Sequence, residues 1–173
     1  MIMNTTQKKS PHNISLEQVT NNTTRWIGHR KMDNQDVSTG QTFEATTEGD
    51  LEQIEVFSSL VTQPGEVTMT LHNFDPEKKS WGPAIDSSKV DFSGASAGKW
   101  IPFDMHGMHL KKGMCYGFKI ESLKAFIGVG EAAGSHNMPP FSNGQEWEFT
   151  KNDQQGQSFS YFSLAFKVGL KAA

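Results

Sequence analysis

Two histidines three apart, in Met105-His106-Gly107-Met108-His109, could ligate a transition metal if further ligands converged on them. No cysteine or acidic partner stands at a recognisable spacing, and Gly107 points to a turn. His106 and His109 are therefore expected as polar loop groups. Gly94-Ala95-Ser96-Ala97-Gly98 matches G-x-S-x-G, but the hydrolase elbow needs a strand before it and a helix after it. The residues that follow are Lys-Trp-Ile-Pro-Phe, so a loop of small residues is expected. Asp33-Asn34-Gln35-Asp36, and Asp75 with Glu77, carry oxygens that suit calcium, without the ordered spacing of a calcium loop. A structural calcium is the one cofactor left open, and no metal ligand is assigned. Glu146 and Glu148 flank Trp147 and project opposite to it in a strand, where a solvated face is the expectation; paired carboxylates for glycoside hydrolysis are set by space rather than spacing.

Aromatic residues carry the stronger signal. Of four tryptophans, Trp26, Trp100 and Trp147 lie among strand-like residues, where burial is the default. Trp81 lies in Asn-Phe-Asp-Pro-Glu-Lys-Lys-Ser-Trp-Gly-Pro, a polar stretch bounded by Pro76 and Pro83. A flat ring displayed from a loop offers a platform for the C–H face of a sugar. Phe141 and Asn143, in Pro140-Phe141-Ser142-Asn143-Gly144, together with His106 and His109, would complete such a site with a second ring and polar partners.

These residues need a scaffold, and the pattern around them is that of strands. Val67, Met69 and Leu71 alternate with Thr68, Thr70 and His72. Met114, Tyr116, Phe118 and Ile120 share a face, as do Phe162, Leu164, Phe166 and Val168. Gln63-Pro64-Gly65 and Lys111-Lys112-Gly113 read as turns. About nine strands result, with no convincing helical period; Ser15–Thr20 is the one helix-tolerant stretch. Strands with one apolar face must bury it against another sheet, so the expected fold is an all-β, antiparallel, jelly-roll-like β-sandwich. Residues 1–24 are rich in Asn, Thr, Ser, Gln and Lys and are expected as a flexible N-terminal arm, with residues 25–173 forming the domain.

Composition narrows the function. A net charge of −3 gives no broad positive face for a phosphate backbone, which argues against nucleic acid. No apolar run approaches a membrane span, and Met-Ile-Met-Asn-Thr-Thr-Gln-Lys-Lys-Ser-Pro-His-Asn lacks the apolar core of a signal peptide. Cys115 is the single cysteine and cannot form an intramolecular disulfide; it is expected as a small buried residue. The oligomeric state is not legible.

The runs Gly40-Gln41-Thr42-Phe43, Gly49-Asp50-Leu51-Glu52-Gln53-Ile54 and Pro64-Gly65-Glu66-Val67-Thr68-Met69-Thr70-Leu71 resemble the opening strands of bacterial jelly-roll accessory modules. Leu110, Gly113 and Tyr116, then Pro140–Gly144 before Trp147, then Leu164-Ala165-Phe166-Lys167-Val168, resemble their later strands. The resemblance covers residues 40–170 and implies a carbohydrate-binding-like, non-catalytic module that is secreted or held at the cell envelope. The expected partner is a glycan bound by Trp81, His106, His109, Phe141 and Asn143. The alternative is a structural or adhesive protein-interaction module of the envelope.

Overall fold

A computed structural model describes residues 12–172. The chain forms fourteen strands: β1 (His12–Gln18), β2 (Thr23–Arg30), β3 (Gln35–Glu44), β4 (Gly49–Gln63), β5 (Gly65–Asp75), β6 (Ser80–Phe92), β7 (Lys99–Asp104), β8 (His109–Leu110), β9 (Cys115–Glu121), β10 (Phe126–Ala133), β11 (Glu146–Thr150), β12 (Asp153–Phe159), β13 (Phe162–Leu164) and β14 (Phe166–Lys171). Gly94–Ser96, in the G-x-S-x-G match, forms one 3-10 turn whose Ser96 hydroxyl accepts the Ser93 N–H at 3.0 Å.

The expected all-β, antiparallel architecture is present. Nine strands make one hydrogen-bonded path, β1-β14-β4-β10-β2-β3-β9-β5-β6, and five shorter partners attach to it. The sheet curls into a half-barrel rather than resting as two flat layers. Strand β4 shows how. Its first half pairs with β14 on one edge and β7 on the other, and its second half passes to β10. The concave side collects the alternating apolar residues: Val67, Met69 and Leu71 from β5, Phe118 and Ile120 from β9, Ile54 and Val56 from β4, and Phe166 and Val168 from β14. Phe166 meets Phe43 at 6.1 Å and Phe118 at 5.6 Å between ring centroids, closing the curl across its interior. Burying each such ring contributes about 1.5–3 kcal/mol.

Polar groups inside the curl are satisfied by long-range bonds. Gln41 is fully buried, and its Oε1 accepts the Leu164 N–H at 2.9 Å while its Nε2 donates to the Thr42 carbonyl at 3.1 Å. An unpartnered amide there would be costly.

Three expectations need correction. Of the arm expected at 1–24, residues 1–11 lie outside the described residues, but His12–Gln18 is a strand paired with β14 and Thr23–Thr24 begins β2. Leu16 of β1 packs against the core, and the buried Gln18 side chain donates to the Leu164 carbonyl at 3.1 Å. Of the helix-tolerant Ser15–Thr20 stretch, residues 15–18 therefore take the strand conformation, because β14 supplies their backbone partners. Met114 precedes β9 and is half exposed, so the shared face begins at Tyr116.

Strand β6 ends the path, and its outer edge carries Pro83, Asp86, Lys89 and Asp91. A proline and alternating charges at an edge discourage the addition of another strand.

Candidate functional site

Outside the curl, strands β3, β5, β9 and β11 present a second face. Register fixes what lies on it, because directly paired residues project to the same side. Trp147 pairs with Gly40, Gly40 with Lys119, and Lys119 with Thr70, which sets one row across four strands. The glycines leave room above this face, and Trp81 fills it. A Cβ on Gly117 would stand 2.4 Å from the Trp81 ring, and one on Gly40 would stand 3.0 Å from both Trp81 and Phe149.

Trp81 is thereby seated within a cluster of rings. It meets Phe74 at 5.5 Å, Trp147 at 5.8 Å, Phe149 at 5.5 Å and His72 at 5.6 Å, all edge-on. The Lys119 ammonium lies 5.0 Å from the Trp81 ring centre and 4.3 Å from that of Phe149. Burial lowers the Lys119 pKa, with Glu121 opposing. Burial also lowers that of His72. His72 Nδ1 lies 2.8 Å from the Gly82 carbonyl, so it carries the proton, and Nε2 accepts from the Thr70 hydroxyl at 2.7 Å. The indole N–H groups of Trp81 and Trp147 are buried without a hydrogen-bond partner.

Trp81 is therefore not displayed from a loop. It belongs to β6, is half-buried, and acts as the centre of a small outer core. Gly117→Ala should force the ring to move: the near-ultraviolet circular dichroism of the tryptophans should change, and a spectrum identical to that of the wild type would contradict this packing.

Beside the cluster lies a groove of about 400 Å³. Phe74, Pro76, Pro139 and Phe141 give it apolar walls, and Glu44, Lys79, Asn143 and Gln145 give it polar ones. The segment carrying Phe141 and Asn143 is tied to β3 by backbone bonds, Glu44 N–H to the Asn143 carbonyl at 3.0 Å and Thr42 N–H to the Gln145 carbonyl at 2.9 Å. A Cβ on Gly144 would collide with the Thr42 carbonyl at 1.8 Å, so this close approach requires glycine. Phe141 is anchored from behind, edge-on to Phe166 at 5.3 Å. Cys115 also lines the groove and is only partly buried, unlike the buried residue expected.

The structure thus brings Phe141 and Asn143 together. Trp81 stands behind Phe74, one ring removed from the groove. His106 and His109 do not join them. His106 Nδ1 pairs with Asp86 at 2.6 Å, and His109 pairs with Asp50 at 2.9 Å and Glu48 at 3.4 Å. Those carboxylates raise the His109 pKa, Asp50 most of all. Phe74, Glu44 and Lys79 were not anticipated as site residues. Phe74 was legible only as the end of an alternating strand.

The oxygens considered for calcium have other partners: Asp33 pairs with Arg30, Asp36 pairs with His29, and Asp75 accepts the Glu77 and Lys78 N–H groups. Among the described residues, no group of three or more His, Cys, Asp or Glu side chains is placed to hold a metal.

The expectation for Glu146 is overturned. It is fully buried rather than solvated, because the Arg25 side chain from β2 and the Glu131 side chain from β10 meet it on the side opposite Trp147. Arg25 of β2 donates from Nη2 to Glu146 at 2.7 Å and from Nε to Glu131 of β10 at 2.8 Å. Its guanidinium lies 5.5 Å from the ring centres of both Phe159 and Phe162. Burial pushes the Glu146 pKa up to about 9, reinforced by Glu131 and opposed by Arg25. Glu146 is therefore protonated at neutral pH. Neither Glu131 nor Glu146 lines the groove, so the pair serves to join β2, β10 and β11.

The fold and groove define an antiparallel β-module with a mixed apolar and polar depression beside its outer aromatic cluster. No family model matches the chain, and no curated protein does. In shape the chain is similar to the crystal structure of the cysteine protease and lectin-like domains of Cwp84, a surface layer associated protein of Clostridium difficile. The TM-score is 0.50 at 9% sequence identity, over 79% of this chain and 32% of that one. This chain therefore spans under a third of that neighbour's length, and the likeness concerns the fold.

Proposed function

We propose that the protein is a non-catalytic carbohydrate-binding module that takes a glycan in the groove between Phe74 and Phe141. The carrying observation is the composition of that groove. Two aromatic edges and two prolines offer contact for the apolar faces of a sugar, while Glu44, Lys79, Asn143 and Gln145 offer both donors and acceptors for its hydroxyls. The aromatic cluster behind Phe74 holds that wall rigid, which lowers the ordering cost of binding. The likeness of fold to a chain that includes a lectin-like domain supports the same reading, and the surface-layer association of that neighbour supports a setting at the cell envelope.

The test is a glycan array followed by affinity electrophoresis on the sugars retained. Asn143→Ala and Lys79→Ala should each weaken binding about tenfold, the effect of losing roughly 1.4 kcal/mol of polar contact. His106→Ala and His109→Ala should leave it unchanged. Retention of no sugar, or equal binding by the groove variants, would remove this reading. Alkylation of Cys115, the one cysteine of the chain, should block the groove independently of any substitution.

A further inference from the structure

Strands β3 and β9 send alternate residues to the outer face, and their register orders what lies along it. From β3 these are Ser38, Gly40, Thr42 and Glu44; from β9 they are Glu121, Lys119, Gly117 and Cys115. Gly40 pairs with Lys119, Thr42 with Gly117, and Glu44 with Cys115. At one end, Thr42, Glu44 and Cys115 line the groove already described. At the other end, Ser38, Lys119 and Glu121 line a second cleft of about 360 Å³. The glycines between them lie against Trp81. Ser38 and Glu44 stand six positions apart on β3, which sets the two depressions about 20 Å apart along the strand.

The second cleft repeats the chemistry of the first. Phe149 gives it an aromatic wall, as Phe74 gives the groove one, and Leu123 adds aliphatic surface. The same indole braces both rings: Trp81 meets Phe74 and Phe149 edge-on, each at 5.5 Å. Ser38, Ser122, Thr150 and Gln154 supply hydroxyl and amide groups. Lys119 and Lys151 are balanced by Asp36 and Glu121, as Lys79 is balanced by Glu44 in the groove. Neither depression therefore carries a net formal charge. That balance suits an uncharged, polyhydroxylated ligand and gives an anion no advantage.

We infer that the second cleft is a further sugar-binding subsite, and that the ligand is a linear glycan long enough to occupy both depressions at once across Trp81. The inference rests on the glycan reading of the groove and names the class of glycan. A chain already held in one depression meets the other at high effective concentration, so its affinity exceeds what either depression supplies alone. The paired strands between the two depressions fix their separation. The gain therefore begins only when the sugar chain is long enough to bridge it.

The test is isothermal titration calorimetry of the full chain with the disaccharide and the hexasaccharide derived from cellulose, from xylan and from chitin. In a series that binds, the hexasaccharide should bind about a hundredfold more tightly than the disaccharide. Ser38→Ala combined with Gln154→Ala should remove most of that gain and leave disaccharide binding in the groove unchanged. Asn143→Ala should weaken both lengths. Circular dichroism should show each variant folded. Equal affinity for the two lengths, or a gain that survives the Ser38→Ala and Gln154→Ala pair, would overturn the inference and leave the groove reading standing. Failure of all three hexasaccharides to bind, with a sugar retained on the glycan array, would do the same. Retention of no sugar on the array would remove both.

Discussion

Arg25→Met should destabilise the fold by about 3–5 kcal/mol, the cost of leaving a buried charge without its partner. Arg25 holds Glu131 and Glu146 together, with both carboxyl side chains almost wholly shielded from water. Methionine would keep much of the contact with Phe159 and Phe162 while removing every charged bond, so the loss would report the ion cluster rather than the packing. Glu146→Gln should behave in the opposite way. Its carboxyl is already protonated at neutral pH, and an amide of the same shape can still accept from Arg25 and donate to Glu131. The pH dependence follows from the same proton. The folded pKa is raised to about 9 from the ordinary 4.5, so the folded state retains a proton that the unfolded chain releases. The stabilising contribution is full below about pH 4.5 and is lost as pH rises through about 9. Urea midpoints measured across that window should fall with rising pH in the wild type and fall less in Glu146→Gln. A flat wild-type profile, or an Arg25→Met variant as stable as the parent, would refute this description of the cluster.

Phe166→Ala should cost a similar amount, about 3–5 kcal/mol, through the cavity it leaves at the point where the curl closes. Phe166 touches Phe43 and Phe118 inside the core and Phe141 at the groove. Denaturant unfolding should show the loss directly. Because Phe141 would lose the ring behind it, sugar binding should weaken as well, although Phe166 does not line the groove. Loss of stability with unchanged affinity would mean that Phe141 is held by its own loop.

The strand pattern was readable because alternation survives wherever one face meets the core, as in Val67, Met69 and Leu71. The turns were readable because their glycines are needed: Gly113 takes a φ of +84° after the two lysines. The site was less readable, for three physical reasons. Pro83 made Trp81 look like a loop residue, but β6 is an edge strand, where a missing N–H costs little and an irregularity in the pairing with β5 accommodates the ring. Glu146 looked solvated because period-two reasoning knows two faces and cannot see a third element laid over one of them. His106 and His109 looked like a pair because they are neighbours in sequence, yet their carboxylate partners lie on β6 and near the start of β4, and such distant pairings leave no local trace. Residues 12–18 looked unanchored because Ile14 and Leu16 are few in a polar run, and β14, which holds them, lies at the far end of the chain.

The pairing of His12 with Lys171 sets the two ends of the described fold side by side. Tension applied between them would load the β1–β14 ladder one rung at a time, as a zipper is opened, rather than shearing all of its rungs together. The outermost strand would therefore peel away at low force while the curl and its groove stayed intact, leaving a compliant tether in series with a stiff body.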